Sequence, residues 1–287
     1  MEKSTRLLAL SLSAIILTSC GGGETSHDDK SLSDSTTTVV KDTTPVTVDD
    51  GTKFKFDFAL ANIPSPASSI NELSSWGQSY DNSILNDTKN SKKYTSEFAR
   101  SINLGIYNID MCYAIVSERG EDVLKYMKTV LISSDALGLK GAVDQMIGKR
   151  AEQNLANKDS LLNILDEILI KSDSYLRTNE RLYTATTVFA GSWVESLYIT
   201  CKIGENTTDE AIKAKAHKHL WEQRFHLNNL ITVMDDYKDK KEAVELNKEF
   251  RSIHEEINAI KKAEDIDAAK FKSISEKIFA LRTMLTK

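Results

Sequence analysis

The chain has 287 residues, of which 40% are hydrophobic and 28% are charged, and its formal net charge is −5. Residues 20–50 hold seven acidic residues and two lysines, so this segment alone carries the excess negative charge and the rest is close to neutral. A nearly neutral body lacks the basic surface that nucleic-acid binding requires, which excludes that class of partner. The body is long enough to bury a substantial core.

The first 20 residues have the organisation of a secretory signal. Two basic residues precede an apolar stretch from Leu7 to Leu17, and small residues then lead to Cys20. This order is typical of a signal peptide, and the apolar stretch is shorter than the about 20 residues that span a bilayer. Residues 1–19 are therefore predicted to be a cleaved signal peptide.

The run Leu17-Thr18-Ser19-Cys20 resembles the lipobox of bacterial lipoproteins. The resemblance implies a lipid thioether on Cys20, cleavage before it and acylation of the new N-terminus, and several acyl chains anchor a protein stably. Gly21 stands where an aspartate favours the inner membrane in enterobacterial sorting. The resemblance therefore favours the outer membrane, on its periplasmic or cell-surface face. An ordinary secretory signal with a chance cysteine is the alternative.

Residues 20–52 are predicted to form a disordered acidic tether, because they contain too little apolar surface to offset the entropy lost on ordering. Asp34-Ser35-Thr36 and Asp42-Thr43-Thr44 resemble the short motifs that are O-glycosylated in exported Bacteroidetes proteins. Ser35 and Thr43 are therefore candidate modification sites, and an unmodified Ser/Thr-rich linker is the alternative.

Apolar and charged residues alternate in the run Phe54-Lys55-Phe56-Asp57-Phe58, which predicts an extended arm over residues 53–66. Beyond Pro66 the chain has no proline, the strongest helix breaker, and apolar residues recur at helical spacing. Residues 67–287 are therefore predicted to form an all-α domain, an antiparallel bundle of about eight or nine helices. Gly138 and Gly204 mark two predicted helix ends, and Thr207 with Glu210 predicts a capping box before the next helix.

Two predicted helices, at about 94–116 and 181–203, share a pattern that indicates a possible internal duplication. Each has a glycine, an aromatic residue two positions later and then a carboxylate, although the carboxylate is shifted by one residue between the copies. A helical glycine costs about 1 kcal/mol relative to alanine. We therefore expect these glycines where two central helices cross closely.

The carboxylates of these two helices are Asp110 and Glu195, and the aromatic residues are Tyr107 and Trp193. A carboxylate among apolar neighbours needs a partner. The preferred hypothesis is a structural role, in which both acids bind tyrosines or a core cation. The alternative is that these four residues line a ligand cavity.

Several segments of the body are similar to those of uncharacterised all-helical lipoproteins from Bacteroidetes. The similarity spans about residues 60–240 and implies a helical fold and an envelope location, but no activity. It is carried by Ser101-Ile102-Asn103-Leu104-Gly105-Ile106-Tyr107, Asn157-Lys158-Asp159-Ser160-Leu161-Leu162, Gly191-Ser192-Trp193-Val194-Glu195-Ser196-Leu197-Tyr198 and Glu222-Gln223.

Three side chains on one predicted helix face, His219, Glu222 and His226, have a spacing that can contribute to a metal site. A solvated helix face is the preferred interpretation, because no second helix carries matching ligands, and no cofactor is expected. Cys112 and Cys201 lie in apolar helices and are expected to be buried thiols, with a disulfide as the alternative.

The sequence contains no Gly-x-Ser-x-Gly elbow, phosphate-binding glycine loop or zinc-protease motif. The predicted function is therefore that of a lipid-anchored envelope protein, a helical scaffold or protein-binding module with a protein partner in the envelope. The alternatives are a carrier or receptor for a small ligand held between the central helices and, as a weaker one, an enzyme with an unrecognised site.

Overall fold

From Pro66 onward, the part of the chain that the structure describes contains nine α-helices and no strand, which confirms the all-α prediction. The structure is a computed structural model and describes residues 66–140, 143 and 145–287, with Gly51, Lys53, Phe56 and Asp57. The helices are α1 Pro66–Ser74, α2 Glu97–Val116, α3 Gly120–Ala136, α4 Gln145–Gln153, α5 Lys158–Thr178, α6 Leu182–Asn206, α7 Glu210–Met234, α8 Lys241–Asn258 and α9 Ala268–Leu285. The predictions for Cys20, Ser35, Thr43 and nearly all of the tether lie outside the described residues.

Helices α2 and α6 form the centre of the bundle and pack mainly against each other. Every residue of α2 from Ser101 to Val116 is buried, so the helix is enclosed on all sides rather than along one stripe. Helices α1, α3 and α5 also pack on α2, whereas α7 and α9 pack on α6. Helix α4 lies against α3 and α5, and α8 lies against α7 and α9.

The two central helices touch through glycines. A Cβ atom on Gly105 of α2 would lie 2.0 Å from the carbonyl oxygen of Val188, and one on Gly191 of α6 would lie 1.9 Å from that of Ile102. Both distances are far shorter than any real contact of a Cβ atom, so only glycine fits at either position. The contact is reciprocal, with each backbone occupying the space that a side chain of the other helix would need.

The helix termini follow local rules, with two corrections. Gly138 follows α3 with φ +75°, as its sequence position predicts. The predicted end at Gly204 is wrong, since α6 continues to Asn206 and a Cβ on Gly204 would lie 2.5 Å from the ring of Phe271. The glycine there serves helix packing rather than termination.

The predicted capping box is also wrong. The cap of α7 is Asp209, whose carboxylate accepts hydrogen bonds from the backbone N–H groups of Ala211 and Ile212. The Thr207 hydroxyl instead accepts from the N–H of Asp209, and Glu210 pairs with Lys213. A carboxylate at the positive end of a helix is a stronger acceptor than a hydroxyl, which favours the later start.

The predicted extended arm is not extended at the residues that the structure describes. Lys53, Phe56 and Asp57 of the predicted arm are helical, and so is Gly51, which the prediction placed in the tether. Phe56 is buried, and the Arg177 guanidinium lies over its ring, 4.8 Å from the ring centre. Asp57 forms an ion pair with the same arginine. The physical reason for the difference is tertiary, since the burial of one aromatic ring outweighs a local alternation of residue types.

We expect Gly105→Ala to destabilise the fold by at least about 2 kcal/mol, although alanine favours an isolated helix, because the added methyl group forces α2 and α6 apart. Urea denaturation measures this change. Gly120→Ala is the matched control, since its added Cβ meets only the Leu155 side chain at 3.8 Å. The free energy of unfolding of Gly120→Ala should be unchanged or higher by up to about 1 kcal/mol. Equal effects of the two substitutions would contradict the close crossing.

Candidate functional site

The helix crossing brings the two predicted carboxylates together in the core. Asp110 lies five residues after Gly105 on α2, and Glu195 lies four residues after Gly191 on α6. Both side chains are fully buried, with 0% exposure. Each therefore lies about one helical turn from the point of closest approach, where the negative charge of Glu195 acts on Asp110.

A cation from the last helix completes this group. Arg282 of α9 donates to both oxygens of Glu195, from Nε at 3.0 Å and from Nη2 at 3.1 Å. Its guanidinium also lies over the ring of Tyr198, 4.6 Å from the ring centre, and Nη2 donates to the carbonyl of Ile84 at 3.4 Å. This bidentate geometry is the strongest form of an arginine–carboxylate pair. We call Asp110, Glu195 and Arg282 the acid–arginine cluster.

The cluster holds two acids for one guanidinium, and the surroundings of Asp110 indicate how the charges balance. Asp110 Oδ2 accepts from the backbone N–H of Asn86 at 3.2 Å. Burial, followed by the negative charge of Glu195, raises the pKa of Asp110 well above its ordinary value. Asp110 Oδ1 is buried and accepts no hydrogen bond from the described residues. We therefore infer that this carboxyl group holds a proton. The cluster is then neutral overall.

A network of amides and phenols surrounds the cluster. The Asn86 amide donates to the Tyr94 hydroxyl at 3.1 Å and to Asn103 Oδ1 at 3.2 Å, and Asn103 donates to the carbonyl of Leu285 at 2.9 Å. The Tyr126 hydroxyl donates to the Asn86 carbonyl at 3.3 Å. These bonds connect the loop before α2 to α2, α3 and the C-terminal end of α9. The network joins distant segments inside the core, where polar groups must be satisfied.

The two aromatic residues predicted beside the carboxylates have different environments. Tyr107 is fully buried between the rings of Tyr94 and Tyr126, and its hydroxyl donates to the carbonyl of Asp87 at 3.1 Å. Burial raises the pKa of Tyr107 far above its ordinary value, so the phenol stays protonated. Trp193 instead packs edge-on against Phe250 of α8. Only Tyr107 contributes to the network around the loop before α2.

The three metal-ligand candidates of α7 do not come together. His219 is buried against the edge of Trp76, and its Nδ1 lies 3.5 Å from the carboxylate of Glu72. Glu222 faces Lys218 on the same helix. In the described part of the chain, no three His, Cys, Asp or Glu side chains are grouped so that they could hold a metal ion.

Cys112 and Cys201 are buried free thiols in the structure. Burial raises the pKa of the Cys201 thiol to about 12 and raises that of Cys112 as well, which keeps both thiols protonated at neutral pH. Neither has the lowered pKa of a nucleophilic cysteine.

Sequence reasoning did not identify Arg282 as the partner of Glu195. Its helix carries the apolar residues Ile274, Ile278 and Leu285 on the buried side, and position 282 lies three to four residues from two of them. An arginine at such a core-facing position signals a buried acid elsewhere in the fold. The position of Arg282 does not identify its acidic partner, because 87 residues separate it from Glu195 in the chain.

Comparisons of the chain with protein-family models, with curated proteins and with solved structures found no match. Among the described residues, no helix combines the length and the apolar character that crossing a membrane requires.

The proton on Asp110 separates two conservative substitutions. We expect Asp110→Asn not to lower the free energy of unfolding at pH 7, because the neutral amide replaces a carboxyl group that must take up a proton on folding. Glu195→Gln leaves the Arg282 guanidinium without its carboxylate and should cost about 3–5 kcal/mol. Urea denaturation of both variants measures the difference, and equal costs would show that the proton is not on Asp110.

Comparison of the wild type with Asp110→Asn also measures how the protonation of Asp110 makes stability depend on pH. Because folding raises the pKa of Asp110, the folded state holds a proton that the unfolded state releases above about pH 4. The stabilisation by this proton is complete below the unfolded pKa and is lost as pH rises toward the folded pKa. The melting temperature of the wild type should therefore fall relative to that of Asp110→Asn from pH 4 upward. A constant difference would contradict the assignment.

Proposed function

We propose that the protein is a lipid-anchored component of the cell envelope that acts as a helical protein-binding module. The lipobox-like run ending at Cys20 supports lipidation and, with Gly21, an outer-membrane location on the periplasmic or cell-surface face. Residues 20–52 would then be the tether, with a root-mean-square reach of about 30 Å as a flexible coil. O-glycosylation of Ser35 and Thr43 is part of this proposal.

The observation that carries the binding role is an aromatic–arginine cluster on the surface of α7, formed by Trp221, Arg224 and Phe225. The Arg224 guanidinium lies 3.3 Å from the ring centre of Trp221 and 3.9 Å from that of Phe225. Phe225 is 62% exposed. Aromatic residues and arginine are enriched at the centres of protein interfaces, where they provide most of the binding energy.

The interior of the bundle favours a rigid platform over a reactive centre. Asp110 and Glu195 are fully buried, and Arg282 binds both oxygens of Glu195. A substrate would have to displace Arg282 to bind Glu195, which leaves a buried charge at a cost of about 3–5 kcal/mol. This arrangement supports the scaffold or binding module over two alternatives, a carrier with its ligand beside these two acids and an enzyme that uses them.

The lipid anchor is tested by metabolic labelling with a clickable fatty acid in the native host. The wild-type protein should take up the label and fractionate with membranes, whereas Cys20→Ala should do neither and keep its helical circular dichroism. Cys201→Ala is the matched control, since that thiol is buried in the bundle, and it should keep the label. A wild-type protein without label would contradict the anchor.

The binding surface is tested by photo-crosslinking in living cells from position 228, an exposed site one turn after Phe225 on α7. We expect a discrete adduct that Phe225→Ser reduces at least about ten-fold, because removing an interface aromatic anchor costs about 2 kcal/mol or more. Ile170→Ser is the matched control, since this exposed apolar side chain lies on α5, and it should leave the adduct unchanged. An adduct that persists in Phe225→Ser, or no adduct, would contradict the proposed surface.

A further inference from the structure

A cavity of about 50 Å³ lies between α2, α3, α5 and α6, apart from the acid–arginine cluster. Its walls are mainly aliphatic and include Leu104, Ile168, Leu176 and Val188. A single water needs about 10–15 Å³. The cavity therefore has room for the end of a small molecule, and its apolar walls favour an apolar chain over water.

Three polar atoms line this cavity without a hydrogen-bond partner among the described residues. They are Oδ1 of Asn108, Oγ of Ser134 and Oδ1 of Asp173. Asn108 is 3% exposed and Ser134 is 1% exposed, so solvent does not satisfy their polar atoms. The Asp173 side chain is 28% exposed, although its Oδ1 atom is buried. A buried polar atom without a partner is costly, and three of them around one apolar cavity have the composition of a ligand site.

The charges beside the cavity indicate the chemistry of the ligand. The other oxygen of Asp173 accepts from Nε of Arg177 at 2.6 Å, and the same guanidinium pairs with Asp57. One cation therefore serves two carboxylates, which leaves a net negative charge at this end of the site. Burial raises the pKa of Asp173, because leaving water disfavours its charged form, whereas the Arg177 guanidinium acts in the opposite direction. Two of the three free atoms are acceptors and the third is a hydroxyl, so the site suits a ligand that donates hydrogen bonds.

We propose that this cavity binds the end of a slender apolar molecule whose polar group donates hydrogen bonds, a primary alkylamine or alcohol. The apolar chain lies against the aliphatic walls, and the donor group binds Asn108, Ser134 and Asp173. The negative charge favours the ammonium group over the hydroxyl and disfavours a carboxylate. The site does not depend on the lipid anchor or on the surface of α7, so it stands if either of those proposals fails.

The test uses the purified full chain with labelled isoleucine, leucine and valine methyl groups and three probes of equal chain length: n-hexylamine, 1-hexanol and hexanoate. Hexylamine and hexanol should produce saturable NMR shifts at the methyl groups of Leu104, Ile168 and Val188, with hexylamine the tighter. Hexanoate should produce none. Hexanol binding more tightly than hexylamine would overturn the role of the negative charge.

Three variants locate the polar contacts. Ser134→Ala should lower the affinity for hexylamine about ten-fold, because one hydrogen bond to the ligand is lost. Asn108→Leu should abolish binding and raise the melting temperature, because it removes a buried polar atom without a partner. Ser275→Ala, which removes an equally buried hydroxyl from α9, should leave the affinity unchanged.

Several results would overturn the proposal. They are the absence of saturable shifts with either donor probe, equal binding of hexanoate, and unchanged affinity in Ser134→Ala. The serine variant decides the outcome if Asn108→Leu does not fold. Loss of binding in Ser275→Ala as well would show a global effect on the bundle rather than a site.

Discussion

The close approach of α2 and α6 at Gly105 and Gly191 is the constraint on which the rest of the bundle depends. At each glycine, the backbone of the other helix occupies the space that a Cβ atom would need. The two helices can therefore approach this closely only at these glycines. The other helices, except α4 and α8, pack directly on one or both members of this pair. The crossing also determines where the polar groups of the core lie, because Asp110 and Glu195 are each about one turn away and both are fully buried.

Two acids in one core would repel each other, and Arg282 offsets this by binding Glu195 through both oxygens. Burial and the charge of Glu195 raise the pKa of Asp110, which favours its neutral form. The Arg282–Glu195 ion pair holds α9 to α6. The hydrogen bond from Asn103 to the Leu285 carbonyl holds the C-terminal end of α9 to α2. A buried ion pair of this kind adds specificity of arrangement more than net stability.

Features suited to binding lie away from this rigid centre. The aromatic–arginine cluster on α7 presents Phe225 to solvent, whereas the cavity between α2, α3, α5 and α6 presents unsatisfied polar atoms to an apolar interior. One suits a protein surface and the other a small amphiphilic molecule. Both are positioned by helices that the central pair holds in place, so a substitution at the crossing should disturb each of them.

The sequence by itself determined the helical class, because a proline-free body with helical periodicity has no other low-energy local structure. Its glycines at 105 and 191 also indicated the crossing, and the two carboxylates beside them stood out. Local patterns failed where tertiary contacts outweighed them, as at Phe56 and Gly204. Only the tertiary structure decided that Arg282 pairs with Glu195 and that Asn108, Ser134 and Asp173 line one cavity. Partners so far apart in the chain are selected by the packing of whole helices, which no short sequence pattern records.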